Sequence, residues 1–288
     1  MEFSQLRIFQ AVAEEGSIAK AALRLSRVPS NLSTRLRQLE AQLGVELFHR
    51  ERQRLQLTPA GRVLQRYAER LFALQGEAEA ALKGDEPGGV FVLGSMYSTA
   101  AIHLPALLAR YHHAYPGVNL QVRTCPSGEL LDGLIGGRLD AALLNGSGDY
   151  PELEGMPLFD EDMLLITELG HPPVRSARDV AGRAVFTFRP RCSYRRLLEA
   201  WFAEARVAMG PLMEIESYHS MLACVIAGSG VALMPASMLD SLPGREAVAR
   251  HRLAAPFDRA TTWLMWRKGM LGANLRAWID LGLPAQRP

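Results

Sequence analysis

The stretch GSIAKAALRLSRVPSNLSTRLRQLEAQLG, residues 16–44, decides the fold of the N-terminal part of the chain. Leu32, Leu36, Leu39 and Leu43 recur at alternating steps of four and three residues, which places them on one face of a helix. Pro29 suits that helix's first position, where a missing N–H costs nothing. Ser30, Thr34 and Arg37 then project from the opposite face, flanked by Asn31, Ser33 and Gln38. Upstream, Ser17 stands where a helix N-cap belongs, its hydroxyl placed to take a free backbone N–H. Ala21 and Ala22 are small enough to admit a close neighbouring helix. Further upstream, Leu6, Phe9, Val12 and Ala13 mark the buried stripe of a first helix, which Gly16 ends. The helices either side of the turn Ser26-Arg27-Val28 make a helix-turn-helix.

On the C-terminal side, Leu47-Phe48-His49-Arg50 and Leu55-Gln56-Leu57-Thr58 are short strand-like runs around Glu51-Arg52-Gln53-Arg54. A hairpin here sets Arg50, Arg52 and Arg54 about a protruding tip, a wing. Charge follows the same division: residues 1–62 hold ten Lys or Arg against six Asp or Glu, whereas residues 63–288 hold 22 against 24. A basic end on a slightly acidic body is the footprint of phosphate binding, and Ser, Thr, Asn and Arg suit base edges in a major groove. Any amphipathic helix has a solvated polar face; the wing and the charge asymmetry give this one its meaning. The candidate DNA-binding residues are Ser30, Asn31, Ser33, Thr34 and Arg37 on the helix, for base discrimination, with Arg35 beside them, and Arg50, Arg52 and Arg54 on the wing, for phosphates.

The run Leu6, Phe9, Val12-Ala13-Glu14, Gly16-Ser17, Ala21-Ala22, Leu25, Ser33, Leu36, Leu39-Glu40, Leu43-Gly44, Leu47-Phe48, Arg50, Leu57-Thr58 and Gly61 resembles the LysR-type transcriptional regulator family over the whole N-terminal domain. The resemblance implies a two-lobed effector-binding domain behind the head, a small metabolite as effector, and a homodimer that becomes a homotetramer in full-length form. It also implies an action on RNA polymerase access through the spacing of the heads and the bend they impose on DNA. One departure matters. Where the family usually shows Ser-Gln-Pro at the start of the recognition helix, this chain reads Val28-Pro29-Ser30-Asn31. The Gln that commonly faces DNA is absent, and Ser30 and Asn31 are the candidates to take over its contact.

Thr58-Pro59 pairs another cap with a proline and opens a helix to about Lys83. Along it Leu64, Tyr67, Leu71, Leu74, Ala78 and Ala81 alternate three and four residues apart, the a/d seam of a coiled coil. The stripe either packs on the chain's own wing or effector lobe or meets a partner helix. A strict seam favours the partner, so Leu64, Tyr67, Leu71, Leu74 and Ala78 are the dimerisation candidates. A dimer supplies the two-fold symmetry that reads paired half-sites.

Gly84-Asp85-Glu86-Pro87-Gly88-Gly89 has the composition of a hinge. The expected domains are therefore a winged helix-turn-helix over 1–58, a linker helix and hinge over 59–89, and an α/β domain over 90–288. In the last, strands at 90–93, 119–123 and 140–144 alternate with helices at 100–115 and 127–136. Strands at 184–188, 213–216 and 230–234 then alternate with helices at 194–206 and 217–227. The pattern predicts two Rossmann-like parallel lobes resembling periplasmic solute-binding proteins. Lobe I is expected over 90–161 and 268–288 and lobe II over 162–267, with chain crossings at 157–167 and 262–268.

Ligands of open α/β sheets sit beyond the carboxyl ends of the strands, where helix N-termini point. Ser95, Ser98, Thr99, Ser127, Gly128, Arg189, Cys192, Ser193, Glu216 and Ser217 stand at those joints and are the candidate effector-binding residues. One Ser or Thr alone does no more than cap its own helix. Their convergence, with Arg189, Arg191 and Arg195 nearby, points to an effector bearing a carboxylate. Glu129 and Glu216 keep an amine, as in an amino acid or polyamine, open as a rival. Cys125 and Cys192, both at cleft-side joints, keep thiol redox sensing open. A ligand-independent architectural DNA-binding protein is the remaining alternative, and it has no need of a large two-lobed domain.

An enzyme is not expected, since no nucleophile and base pair, metal cluster or cofactor loop stands out. Cys125, Cys192 and Cys224 are too few and badly spaced for zinc, and His112-His113 lacks a companion ligand. The glycines at 128, 133, 136 and 137 form no dinucleotide fingerprint. No cofactor or metal is therefore expected. The low cysteine count and an N-terminus without a signal peptide suggest a cytoplasmic protein. Residues 220–239 are uncharged, but Gly228, Gly230 and Pro235 divide them into helix, turn and strand, which argues against a membrane span. The expected partners are double-stranded operator DNA, a small effector, a second copy of the chain and, by the resemblance, RNA polymerase.

Overall fold

The computed structural model describes residues 1–51, 54–82, 86–146 and 150–282, and the chain divides into two units, Met1–Glu79 and Ala80–Pro288. The first unit runs α1 (Phe3–Glu15), α2 (Ile18–Arg24), α3 (Pro29–Leu43), β1 (Phe48–Glu51), β2 (Arg54–Leu57) and α4 (Pro59–Leu82). Phe9, Val12, Ala21, Leu32 and Leu39 are fully buried, so the first three helices share one apolar centre. Leu36 completes the expected stripe; Leu43, the last residue of α3, is 38% exposed where the helix runs past that centre. Pro29 opens α3 as expected. Ser17 precedes α2 in extended conformation, but its hydroxyl makes no cap bond, and only its carbonyl is engaged, taking the Ala21 N–H at 3.0 Å.

Thr58 does cap α4. Its hydroxyl accepts the Gly61 N–H at 2.9 Å and donates to the Glu46 carbonyl at 2.7 Å. The hairpin pairs Phe48 with Leu57 through to Glu51 with Arg54. Glu40 ties α3 to it, its carboxylate accepting the Leu47 N–H at 2.8 Å. Gly61 lets α4 lie against the root of the hairpin, because a Cβ there would stand 2.2 Å from the Leu47 carbonyl oxygen.

The second unit runs β3 (Gly89–Ser95), α5 (Tyr97–Ile102), α6 (Leu104–Ala114), β4 (Val118–Thr124), α7 (Ser127–Ile135), β5 (Ala141–Asn145), β6 (Leu153–Glu168), β7 (Val185–Thr187), α8 (Ser193–Glu204), β8 (Leu212–Glu214), α9 (Tyr218–Ile226), β9 (Val231–Pro235), α10 (Ala236–Ser241), β10 (Val248–Arg252), β11 (Arg259–Arg267) and α11 (Ala273–Asp280). Both parallel triples form: β3 lies between β4 and β5, and β7 lies between β8 and β9. Lobe I closes over Phe91, Leu93, Tyr111, Leu264 and Trp278, and lobe II over Ile166, Phe186, Val225, Ala232 and Met234. The helix expected at 100–115 is two helices divided at His103, since Pro105 has no N–H with which to continue the first.

The lobes are joined by β6, a strand of 16 residues whose first part pairs antiparallel with β11 and whose second part pairs with β9 and β10. The first crossing thus lies inside one strand. The second is not at 262–268. There β11 pairs with β5, Thr262 opposite Asn145 and Trp266 opposite Ala141, which places 259–267 in lobe I rather than lobe II. The chain returns earlier, through 253–258, where the Asp258 carbonyl accepts the Met163 N–H at 2.8 Å. Leu264 and Met265 are fully buried, and a buried apolar run does not say which sheet it joins. Residues 52–53 of the expected wing tip, 83–85 of the expected hinge and 283–288 lie outside the described residues.

Candidate functional site

Two surfaces gather the functional side chains, one on each unit. On α3, Leu32, Leu36 and Leu39 face the core, and Ser30, Asn31, Thr34, Arg35 and Gln38 line one shallow polar depression on the other side. Arg37 is exposed and Ser33 half-buried, both beyond that depression. Arg24 is held by Glu14 and Glu15, whereas neither Arg35 nor Arg37 forms an ion pair among the described residues. Short polar side chains thus share the depression with the unpaired Arg35 guanidinium, and the unpaired Arg37 lies beside it on the exposed side of α3. On the hairpin, Arg50 and Arg54 have defined backbone register, opposite Leu55 and Glu51, and Arg52 lies outside the described residues.

The stripe expected along α4 divides. Leu64 is half-buried against the helix-turn-helix core, and Ala68, which the a/d reading passed over, is fully buried. Phe72 meets Phe3 edge-on at 5.8 Å, with the Arg7 guanidinium 5.9 Å from its ring. Tyr67 and Leu74 are 56% and 55% exposed, Leu71 is half-buried and Ala78 is exposed. Val63, 44% exposed, extends the open apolar stripe by one turn. The seam therefore divides, its start turned to the chain's own head and its remainder largely exposed.

In the second unit the strand ends and helix starts of the two lobes meet around a cavity of about 20 Å³, room for roughly one water. Its lining is Met96, Tyr97, Ser98, Cys125, Pro126, Ser127, Phe188, Cys192, Tyr194 and Tyr218. Of the residues expected here, Ser98, Ser127 and Cys192 line it. The N-termini of α7 and α8 face each other, the Ser127 hydroxyl donating to Ser193 Oγ at 3.0 Å and the Ser193 hydroxyl reaching Met96 Sδ at 3.6 Å. Ser95 is turned to the Met96 carbonyl, and Thr99 is buried outside the lining. Ser217 caps α9, accepting the Ser220 N–H at 3.3 Å.

The cleft's arginines are all engaged. Arg189 lies 3.2 Å from Glu129 and 3.1 Å from Glu216. Arg191 grips Asp132 with two bonds, at 2.6 and 3.0 Å, and the Gly128 carbonyl at 2.6 Å. Arg195 is held by Glu199 and Glu214. Among the candidate residues and the lining, Ser98 Oγ, Thr99 Oγ1, Tyr194 OH and Arg189 Nε are buried without a full hydrogen bond. Ser98 lies within reach of the phenols of Tyr194 and Tyr218, and this contact pulls against the effect of burial on each, though its geometry falls short of a full hydrogen bond. Burial pushes both phenols well above the ordinary tyrosine value, so they stand as neutral donors. Burial also raises the Cys125 and Cys192 thiols, although the backbone N–H groups of Arg195 and Tyr194 partly offset this at Cys192. The Arg191 hydrogen bonds hold the Asp132 carboxyl below its usual range.

Sequence reasoning missed the aromatic lining. Tyr194 and Tyr218 each follow directly on a predicted strand-to-helix joint, and that position was the available signal. Tyr97 stacks on Phe188, with centroids 5.7 Å apart, and Tyr218 meets the same ring edge-on at 4.9 Å. Among the described residues no cluster of His, Cys, Asp and Glu is placed to hold a metal ion, and no helix is long and apolar enough to cross a membrane.

Comparison with known proteins agrees with this division. Residues 3–62 match the model for the bacterial regulatory helix-turn-helix protein, lysR family, and residues 84–286 match the LysR substrate binding domain. The chain is 34% identical over 272 residues to the HTH-type transcriptional regulator GltR of Bacillus subtilis (strain 168), covering 94% of this chain and 92% of that protein. It is 33% identical over 288 residues to the uncharacterized HTH-type transcriptional regulator YusT of the same organism, covering 99% and 97%. The crystal structure of full-length CbnR complexed with its target DNA has the same fold, with a TM-score of 0.69 at 24% identity over 98% of both chains.

Proposed function

This chain belongs to the LysR family of bacterial regulators and is a DNA-binding transcriptional regulator with an effector-binding domain; from that premise we propose how its two surfaces work. Helix α3 enters the major groove with Ser30, Asn31, Ser33, Thr34, Arg35 and Arg37 toward base edges, while Arg50, Arg52 and Arg54 take phosphates. Two copies pair along the open part of α4, through Tyr67, Leu71, Leu74 and Ala78. We further infer, on the family likeness, that the pairs assemble into a tetramer and contact RNA polymerase.

The cleft takes a small effector bearing a carboxylate. One observation carries this: Ser98 Oγ, Tyr194 OH and Arg189 Nε are buried without a full hydrogen bond. Each such group left unpaired costs about 1–3 kcal/mol. A carboxylate offers acceptors to donors of this kind, and an ammonium offers none. Glu129 and Glu216, which an amine would need, are already turned onto Arg189. A thiol sensor needs a reactive thiolate, and burial holds both cleft thiols in the protonated form. The effector acts only so far as it binds one arrangement of the lobes more tightly than another.

The test is thermal unfolding of the full chain against small carboxylates and amines of matched size, repeated with Ser98→Ala and Tyr194→Phe. Carboxylates that raise the Tm of the native chain, and raise it less in both variants, support the reading. A rise produced by amines alone overturns it.

A further inference from the structure

The segment between β7 and α8 does more than border the cleft. Arg191 has φ +75°, a left-handed backbone that a side-chain-bearing residue adopts only at a cost in strain. In that conformation both ends of the residue engage the first turns of α7 on the opposite lobe. Its carbonyl accepts the Gly128 N–H at 3.2 Å, and its guanidinium takes the Gly128 carbonyl and, with two bonds, the Asp132 carboxylate. Gly128 is required for the approach: a Cβ there would lie 2.7 Å from Arg191 Nε and 2.9 Å from Arg191 Cβ. Arg189, two residues earlier, reaches Glu129 on the same helix.

The Gly128 N–H belongs to the free N-terminal turn of α7, the kind of donor that an incoming anion seeks. Here the chain's own carbonyl holds it. We propose that Arg191 is a built-in clasp that keeps the cleft shut, occupying the α7 N-terminus in the effector's stead. An effector enters only after the Arg191–Asp132 pair and the Gly128 contacts release, and release also frees Arg191 from its strained backbone. The inference rests on the reading of this cleft as the effector site and adds how entry to it is controlled.

The clasp is tested without an effector, by timing N-ethylmaleimide labelling at each cysteine of the full chain by mass spectrometry. Cys125 and Cys192 line the cleft from opposite lobes, while Cys224 on α9 lies outside that lining and serves as control. The variants are Asp132→Asn, which removes the pair, and Gly128→Ala, which leaves every charge in place but displaces Arg191. Labelling of Cys125 and Cys192 should accelerate roughly tenfold in both, as expected for loss of a half-exposed ion pair with one or two hydrogen bonds, with Cys224 unchanged. Unchanged rates at the cleft cysteines overturn the proposal. If Cys224 accelerates equally, the variant is unfolding, and the native chain decides. Raising NaCl weakens a half-exposed pair, so cleft labelling should quicken with salt; a flat profile overturns the clasp. If labelling responds as expected while no carboxylate raises the Tm, the clasp stands and the effector reading fails.

Discussion

Replacing Gly61 by Ala should cripple the DNA-binding unit while leaving the effector unit intact. The added Cβ would stand 2.2 Å from the Leu47 carbonyl oxygen and 2.9 Å from Leu57 Cδ2, so helix and hairpin must separate by roughly 1 Å to restore ordinary contact. The Leu57 methyl can turn aside. The Leu47 oxygen cannot retreat freely, because it accepts the Thr58 N–H at 3.0 Å. Overpacking of this kind costs about 1–3 kcal/mol, and loss of that hydrogen bond adds about 1 kcal/mol. Ala's better helix preference returns about 1 kcal/mol at most, leaving a net loss of about 2 kcal/mol. For a unit of this size each kcal/mol lowers Tm by about 4–8 °C, so the first unit's transition should fall by roughly 10–15 °C. The assay is scanning calorimetry with fluorescence anisotropy on operator DNA below the new transition, where the displaced wing should weaken binding. A first transition within a couple of degrees of the native one, with unchanged affinity, would refute the reasoning.

Other outcomes follow from the same geometry. Arg52→Ala and Arg54→Ala should each lower the magnitude of the salt slope of DNA binding by about 0.9, whereas Asn31→Ala should relax preference at one base position with the slope unchanged; an unaltered slope in the double variant removes the wing assignment. Tyr67→Glu with Leu74→Glu alters two exposed positions of α4 and should yield folded monomers in sedimentation equilibrium, and a persisting dimer would move the interface elsewhere. His251 is buried, with Nδ1 accepting the Val174 N–H at 3.2 Å and Nε2 meeting Thr167 Oγ1 at 2.9 Å, so the neutral ring fits and burial, followed by the charge of His171, lowers its pKa below the usual 6.5. The unfolded chain then binds a proton that the folded chain refuses: stability is full above pH 6.5 and declines as pH falls toward the lower folded value. His251→Asn should flatten that decline in urea titrations between pH 7.5 and 5.5, and parallel curves for native and variant would exclude this ring as the source.

What the sequence disclosed and what it withheld differ in physical kind. The head was legible because its signals are local: the leucine spacing of α3, Pro29 at its start and the Thr58 cap each depend on a few adjacent residues. The parallel triples were legible for the same reason, through apolar strands alternating with helical runs. Assignment of β11 failed because pairing with β5 is a contact across more than a hundred residues, and buried runs look alike in either lobe. In the cleft, the hydroxyls of Ser98, Ser127 and Ser193 were found by their place at helix starts. Their partners were not, since the meeting of Ser127 with Ser193, or of Arg191 with Asp132, depends on how two lobes close. Ser217 caps its own helix, a role that spacing alone does not distinguish from that of a ligand-facing hydroxyl.

The placement of β11 bears on how the protein is made. Lobe I is completed by a strand that leaves the ribosome only after all of lobe II, so β5 has β3 on one side and nothing on the other while residues 146–258 are synthesised. At typical rates of elongation that interval lasts on the order of ten seconds. Throughout it, Ala141, Ala142, Leu143 and Leu144, all buried in the finished sheet, present an open apolar edge that favours pairing with another nascent chain. A nonsense mutation anywhere in 163–258 therefore leaves a product whose lobe I lacks β11 and keeps that edge of β5 unpaired.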